Sequence, residues 1–261
     1  MNASTLIALL LCTTLISGCS FFTETADKTS DWTAQQLYAE AKGALQEGDN
    51  ATAIKHYELL ESRFPFGRYA QQAQMDIIYA YYKYDELESA LVASDRFIKL
   101  YPRHPNVDYV YYIKGLINFE KNAGFIDRML PLDQSQRDQR SATTAFNDFN
   151  ELLKRFPDSK YSEDARLRML YLRNSLAQYE VNVARFYMVR GAYVAAANRA
   201  KKVVESYQRT PAVPEALVVM AKAYKVLGMN DLSADALRVL KLNFPNNIVG
   251  IAEVETLVVK P

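Results

Sequence analysis

The sequence has few of the residues that catalysis or redox chemistry would use. In 261 residues there are two cysteines, Cys12 and Cys19, and two histidines, His56 and His104. So few thiols form no Cys-x-x-Cys metal or redox centre. His-Glu-x-x-His, Gly-x-Ser-x-Gly and phosphate-cradling Gly-rich strings are also missing. The expectation is a chain that is not an enzyme, with no catalytic residue, no metal site and no cofactor. A formal net charge of +1 lacks the basic excess that neutralises phosphates, which speaks against nucleic-acid binding. Nine glycines and nine prolines are too few for an all-β fold with many tight turns. The acids Asp76 and Asp95 and the histidine His56 fall on helical stretches and are expected on the surface. His104, within Pro102-Arg103-His104-Pro105, is expected to have a structural role in a turn.

What is present begins at the N-terminus. Residues 5–18 are apolar or small and uncharged, too short to span a bilayer, and residues 1–18 read as a signal peptide. They end in Leu15-Ile16-Ser17-Gly18-Cys19, which resembles the bacterial lipobox. Small residues fit the narrow peptidase site, and the thiol of Cys19 is the nucleophile that accepts lipid. Residues 1–4 contain no Lys or Arg, a departure from the usual basic start. With Cys12 removed and Cys19 thioether-linked, no thiol would remain for a disulfide. Residue 20 is Ser rather than the Asp that tends to retain such proteins in the inner membrane, so the outer membrane is favoured by that sorting rule. Residues 19–31 then form the lipidated cysteine and a polar tether, with a reach of roughly 20 Å as a flexible coil.

The rest of the chain repeats itself. An aromatic residue followed by proline recurs at Phe64-Pro65, Tyr101-Pro102, Phe156-Pro157 and Phe244-Pro245, with a variant at Tyr207 and Pro211. The aromatic residues are 37, 55, 51 and 37 positions apart. The shorter spacing is close to a tetratricopeptide period, and the longer ones add one insertion each. Ahead of each proline run two apolar helical stripes. In the first unit these are Leu37, Tyr38, Ala41 and Leu45, opened by a Thr33/Gln36 capping box, and Ala53, Ile54, Tyr57 and Leu60, separated by Gly48-Asp49-Asn50. Residues 121–141, mostly polar and containing Pro131, read as an inserted loop in the third unit. Proline removes a donor and clashes with the preceding turn, so each aromatic-proline pair stops a helix. Ala and Gly on the stripes let helices approach closely. One helix pair cannot bury its apolar face alone, so neighbours must stack. The expected fold is therefore all-α, an α-solenoid of about five tetratricopeptide-like helix pairs with a concave inner surface. After Pro245 an apolar segment should cap the last unit.

Four strings carry a family resemblance: Arg63-Phe64-Pro65-Phe66-Gly67 through Ile78-Tyr79-Ala80-Tyr81-Tyr82-Lys83, Asp95-Arg96-Phe97-Ile98, His104-Pro105-Asn106-Val107-Asp108-Tyr109 with Gly115-Leu116, and Arg190-Gly191-Ala192-Tyr193-Val194-Ala195. On these the chain resembles the BamD family of outer-membrane lipoproteins, subunits of the β-barrel assembly machinery. The resemblance implies a lipid-anchored protein on the periplasmic face of the outer membrane. It implies binding to the periplasmic domains of the barrel insertase BamA, to the lipoproteins BamC and BamE, and to unfolded outer-membrane proteins. The N-terminal repeats, residues 32–140, would then form the substrate side, with a groove of Tyr79, Tyr82, Tyr109 and Tyr112 and with Arg96 and Lys114 nearby. Aromatic slots and a guanidinium suit the aromatic residue and free carboxylate that end many barrel proteins. The C-terminal repeats, residues 141–261, would dock partners through Arg190 and Arg199, and Phe64 and Phe66 would add a partner contact. The competing reading is a tetratricopeptide adaptor lipoprotein that regulates cell-wall synthesis enzymes.

Overall fold

The computed structural model describes residues 29–127 and 139–257. The signal peptide, Cys19 and most of the tether lie outside the described residues. Within the described residues every regular element is a helix. Five pairs follow one another: α1 (Ala34–Glu47) with α2 (Asn50–Arg63), α3 (Arg68–Lys83) with α4 (Leu87–Leu100), α5 (Val107–Asp127) with α6 (Arg140–Arg155), α7 (Ser162–Val189) with α8 (Tyr193–Ser206), and α9 (Val213–Val226) with α10 (Asn230–Asn243). A short α11 (Ile248–Glu255) packs on α9 and α10. Lys225 closes it by donating to the carbonyls of Val254 and Glu255, at 2.8 and 3.2 Å. The apolar segment after Pro245 is thus a capping helix.

Each aromatic residue of the repeat sits at the C-cap of a second helix. Phe64, Tyr101, Phe156, Tyr207 and Phe244 share φ between −119° and −135°. Each donates its N–H to a residue four back, Leu60, Phe97, Leu152, Val203 or Leu240, and all five of those side chains are buried. The four that precede proline have ψ between 56° and 68°, whereas Tyr207, which does not, has 39°. That difference is the steric push of the proline ring on its predecessor.

The turn inside a pair also recurs. Gly48, Gly191 and Gly228 have φ of +84°, +75° and +73°, and Asp85 fills the same place at +65°. The following N–H returns to the first helix in each case: Asp49 to Ala44, Glu86 to Tyr81, Ala192 to Tyr187 and Met229 to Tyr224. This is the six-residue closure typical of helix C-termini. The Thr33/Gln36 capping box is present, with Gln36 N–H donating to Thr33 Oγ1 at 3.3 Å and Thr33 N–H to Gln36 Oε1 at 2.8 Å.

First helices of successive units touch: α1 with α3, α3 with α5, and α7 with α9. Among the described residues the second helices pack less closely on each other, and Arg96 of α4 reaches Glu61 of α2 at 2.6 Å. Close spacing of one row and wide spacing of the other curves the stack with first helices on the inside. The core is built as successive clusters, and α5 contributes to two of them. The buried Val110, Ile113 and Ile117 of α5 pack into the N-terminal cluster, while Tyr112, Leu116 and Phe119 pack against Ala145, Phe149 and Leu172. Gly115 makes the α5–α6 approach possible, because a Cβ there would lie 2.5 Å from Phe149 Cε1.

Three expectations are corrected. The insertion of the third unit is shorter than residues 121–141, since α5 continues to Asp127 and α6 begins at Arg140. No proline falls between Pro105 and Pro131, and Lys121 pairs with Glu88 of α4 at 2.6 Å. Asp76 is not a surface charge but 8% exposed. It accepts from Tyr38 at 2.8 Å, Lys42 at 3.0 Å, Gln72 at 3.0 Å and Tyr57 at 3.5 Å, which ties α1 and α2 to α3. His56 is also buried, stacked on Trp32 with centroids 5.6 Å apart. His104 fulfils its structural expectation, its Nδ1 accepting from Asn106 N–H at 3.2 Å.

Candidate binding surface

The tyrosines singled out in the sequence stand on the inner row of helices. Tyr79 and Tyr82 lie on α3, three residues apart, with ring centroids at 6.3 Å. Tyr109 and Tyr112 lie on α5 with the same spacing. Tyr109 and Tyr112 are joined by a residue the sequence reading missed. Tyr161, just before α7, stacks on Tyr112 at 4.6 Å and meets Tyr109 at 5.8 Å. Tyr112 donates to Asp164 at 2.7 Å, and Arg168 holds the same carboxylate at 2.6 Å. Tyr82 donates to Glu120. Tyr161 follows Phe156 by five positions, as Tyr69 follows Phe64. Aligning the repeats on the aromatic-proline pair would have revealed it.

Burial governs the chemistry of this row. It pushes the Tyr109 phenol well above its ordinary pKa, and neighbouring Tyr161 and Asp76 add to that. Burial, then the hydrogen bond to Asp164, pushes Tyr112 up to about 12. At Asp164, burial alone would raise the pKa, but the hydrogen bonds from Arg168 and Tyr112 outweigh it and hold the carboxyl below its usual range. These phenols therefore stay neutral donors at physiological pH. Beside them opens a cleft of about 540 Å³ lined by Met75, Asn106, Asp108, Tyr109, Lys160 and Tyr161, among others. The cations next to this surface are Lys160, over the Tyr161 ring at 5.0 Å, and Arg168.

Arg96 is not brought to the tyrosines. It lies on α4, in the outer row, bound to Glu61 of α2. Lys114 turns toward α4 and α6, 2.8 Å from Asp95 and 3.6 Å from Asp148. Sequence proximity misled here because α3, α4 and α5 present different faces to one another. In the C-terminal half, Arg199 donates to Glu180 of its own chain at 2.9 Å, and Lys202 donates to the same carboxylate at 2.6 Å. Glu180 is only 5% exposed, so two cations are needed to offset its burial. Arg190 is exposed, its guanidinium 5.2 Å from the Phe186 ring. Phe64 is partly buried at its C-cap, whereas Phe66 is 90% exposed.

A family model described as "YfiO: Outer membrane lipoprotein" matches residues 30–240. The chain belongs to this family of outer membrane lipoproteins. Among similar curated proteins is the outer membrane protein assembly factor BamD of Neisseria gonorrhoeae, 48% identical over 227 residues, which covers 85% of each chain. The factor of the same name from Vibrio cholerae is 40% identical over 234 residues, 90% of this chain and 96% of that one. That from Haemophilus influenzae is 35% identical over 237 residues, 91% and 89%. Among the described residues no helix is long and apolar enough to cross a membrane.

Proposed function

We propose that the chain is a non-enzymatic subunit of the machinery that assembles outer membrane proteins, anchored by lipid at Cys19 on the periplasmic face. The observation that carries this reading is the match: relatives named outer membrane protein assembly factors align over nearly all of the solenoid, inner row and outer row together. A cell-wall adaptor would share the repeats and the anchor but not that likeness.

Within this reading the inner surface of the N-terminal repeats receives unfolded outer-membrane proteins. Tyr79, Tyr82, Tyr109 and Tyr112, with Tyr161, offer aromatic faces. Lys160 is the cation best placed for a terminal carboxylate, displacing Arg96 from that role. The C-terminal repeats dock the periplasmic domains of BamA, and the lipoproteins BamC and BamE bind the same solenoid. Of Arg190 and Arg199, Arg190 is the more exposed. Arg199 has to use the donors that Glu180 leaves over, so its contribution is both internal and external.

Crosslinked co-purification from native membranes tests the assignment. Recovery of barrel-assembly subunits is expected, whereas recovery of cell-wall synthases instead would replace this reading with the adaptor. Pull-down with Arg190→Glu should lose the insertase while the circular dichroism stays unchanged.

A further inference from the structure

The most exposed large apolar side chain among the described residues is Phe66, in the turn between α2 and α3. The repeats supply an internal control for it. The residue after the aromatic-proline pair is Phe66 in the first unit, but Arg103, Asp158 and Asn246 in the second, third and fifth. All four are exposed and all four turns follow the same C-cap geometry. A turn facing only water takes a polar residue there, and three of the four do. The first unit departs from that pattern.

The first unit is also where the chain leaves for its anchor. Arg63, one residue before Phe64, donates to the carbonyl of Thr29, so the start of the described chain is tied to the base of this turn. From Thr29 to Cys19 is ten residues, a length of chain that can reach at most about 35 Å. Charge agrees. Residues 62–75 carry two arginines, Arg63 and Arg68, and no acid, although Asp31 lies beside the tether exit. Arg68 sits over the Tyr69 ring at 4.8 Å and donates to its hydroxyl at 3.0 Å. An exposed phenylalanine with a tyrosine and arginine beside it is the composition of an interfacial membrane contact.

We infer that the α2–α3 turn is a second membrane contact, with Phe66 entering the acyl boundary of an anionic leaflet and Arg68 meeting its phosphates. The inference rests on the Cys19 anchor of the preceding section. One ring is too small to bind a membrane alone. Once the lipid holds the protein there, full burial of a phenylalanine favours the inserted state by roughly ten- to a hundredfold. The contact would fix which way the inner row faces, where a tether alone leaves the solenoid free to rotate.

The test uses the full lipidated protein in vesicles of mainly phosphatidylethanolamine with a minor share of phosphatidylglycerol. Phe66→Cys, Arg103→Cys and Asp158→Cys are each labelled with an environment-sensitive dye, and a nitroxide lipid is added as quencher. All three positions are exposed turns, so labelling does not burden the fold. The proposal expects the protein to float with the vesicles, with a blue-shifted and strongly quenched dye at 66 and neither effect at 103 or 158. Flotation with equal signals at the three positions would overturn the proposal and leave the anchor intact. Failure to float would remove the anchor and the proposal with it. A blue shift at 66 that needs another assembly subunit rather than lipid would overturn it in favour of a protein contact.

Discussion

Gly115 and Gly43 are both interior glycines of helices, in α5 and α1, and replacing each with alanine should move stability in opposite directions. The helix term is common to the two: Gly to Ala gains about 1 kcal/mol at either place. Nothing lies within 4 Å of a Cβ built at Gly43. At Gly115 the same atom meets Phe149 Cε1 at 2.5 Å, Cδ1 at 2.6 Å and Cζ at 3.0 Å. Phe149 is fully buried and packed against Tyr112, with centroids 6.2 Å apart, so its ring has little room to yield. Overpacking of that kind typically loses about 1–3 kcal/mol. Gly43→Ala should therefore stabilise by about 1 kcal/mol, and Gly115→Ala should range from neutral to about 2 kcal/mol destabilising. The gap between the variants isolates the packing term, because the helix term cancels. Urea unfolding of the mature chain would read it, and in melting temperature it amounts to roughly 2–12 °C for a chain of this size. Equal stabilisation by both substitutions would refute the claim that the third unit is closed by a glycine-mediated approach.

Other outcomes follow from the same structure. Asp85 holds the left-handed position that glycine fills in three other units; Asp85→Gly should stabilise by up to about 1 kcal/mol and Gly191→Ala should destabilise by a similar amount, both read by urea unfolding. Burial raises the phenols of Tyr38, Tyr57, Tyr81 and Tyr109 in the fold. Their contribution is complete below the unfolded tyrosine pKa of about 10 and is lost as pH rises toward the folded values, because only the unfolded chain then releases protons. Stability should fall above pH of about 10, with a fraction of the tyrosine absorbance change at 295 nm appearing only on unfolding. Arg199→Ala leaves Glu180 with Lys202 alone and should destabilise by about 1–3 kcal/mol, while Arg199→Glu, which adds a second carboxylate beside it, should be worse. Thermal melts would rank them, and equal melting temperatures would contradict the placement of Glu180.

What the sequence disclosed and what it hid have physical causes. The aromatic-proline pairs announced four of the five second-helix C-caps, because proline acts on its immediate predecessor and needs no tertiary context. The thirty-seven-residue spacing announced the stacking for the same local reason. The groove was only half legible. Tyr79, Tyr82, Tyr109 and Tyr112 share helix faces that periodicity can assign, and the structure places all four on the inner row. Arg96 was misplaced because periodicity tells which face a residue occupies on its own helix, not which neighbouring helix that face meets. Asp76 and His56 look like solvent residues by type. They are buried because the first unit and the residues leading into it, with Tyr38, Tyr57 and Trp32, supply the partners that no local pattern can count. Arg199 shows the converse, a half-buried cation committed to a buried acid nineteen residues upstream.

The central claim, that the inner tyrosine row receives the ends of unfolded barrel proteins, is tested most directly by peptide binding to the soluble solenoid. Two peptides are compared, alike in carrying the C-terminal sequence of a barrel protein with a final phenylalanine, one with a free carboxylate and one amidated. Saturable binding is expected, with the free acid tighter by about tenfold or more, as a charge-assisted contact implies. Lys160→Ala should erase the difference between the peptides, and Arg96→Ala should leave it in place. No saturable binding, or a preference for the free acid that survives Lys160→Ala and disappears with Arg96→Ala, would contradict the site as drawn.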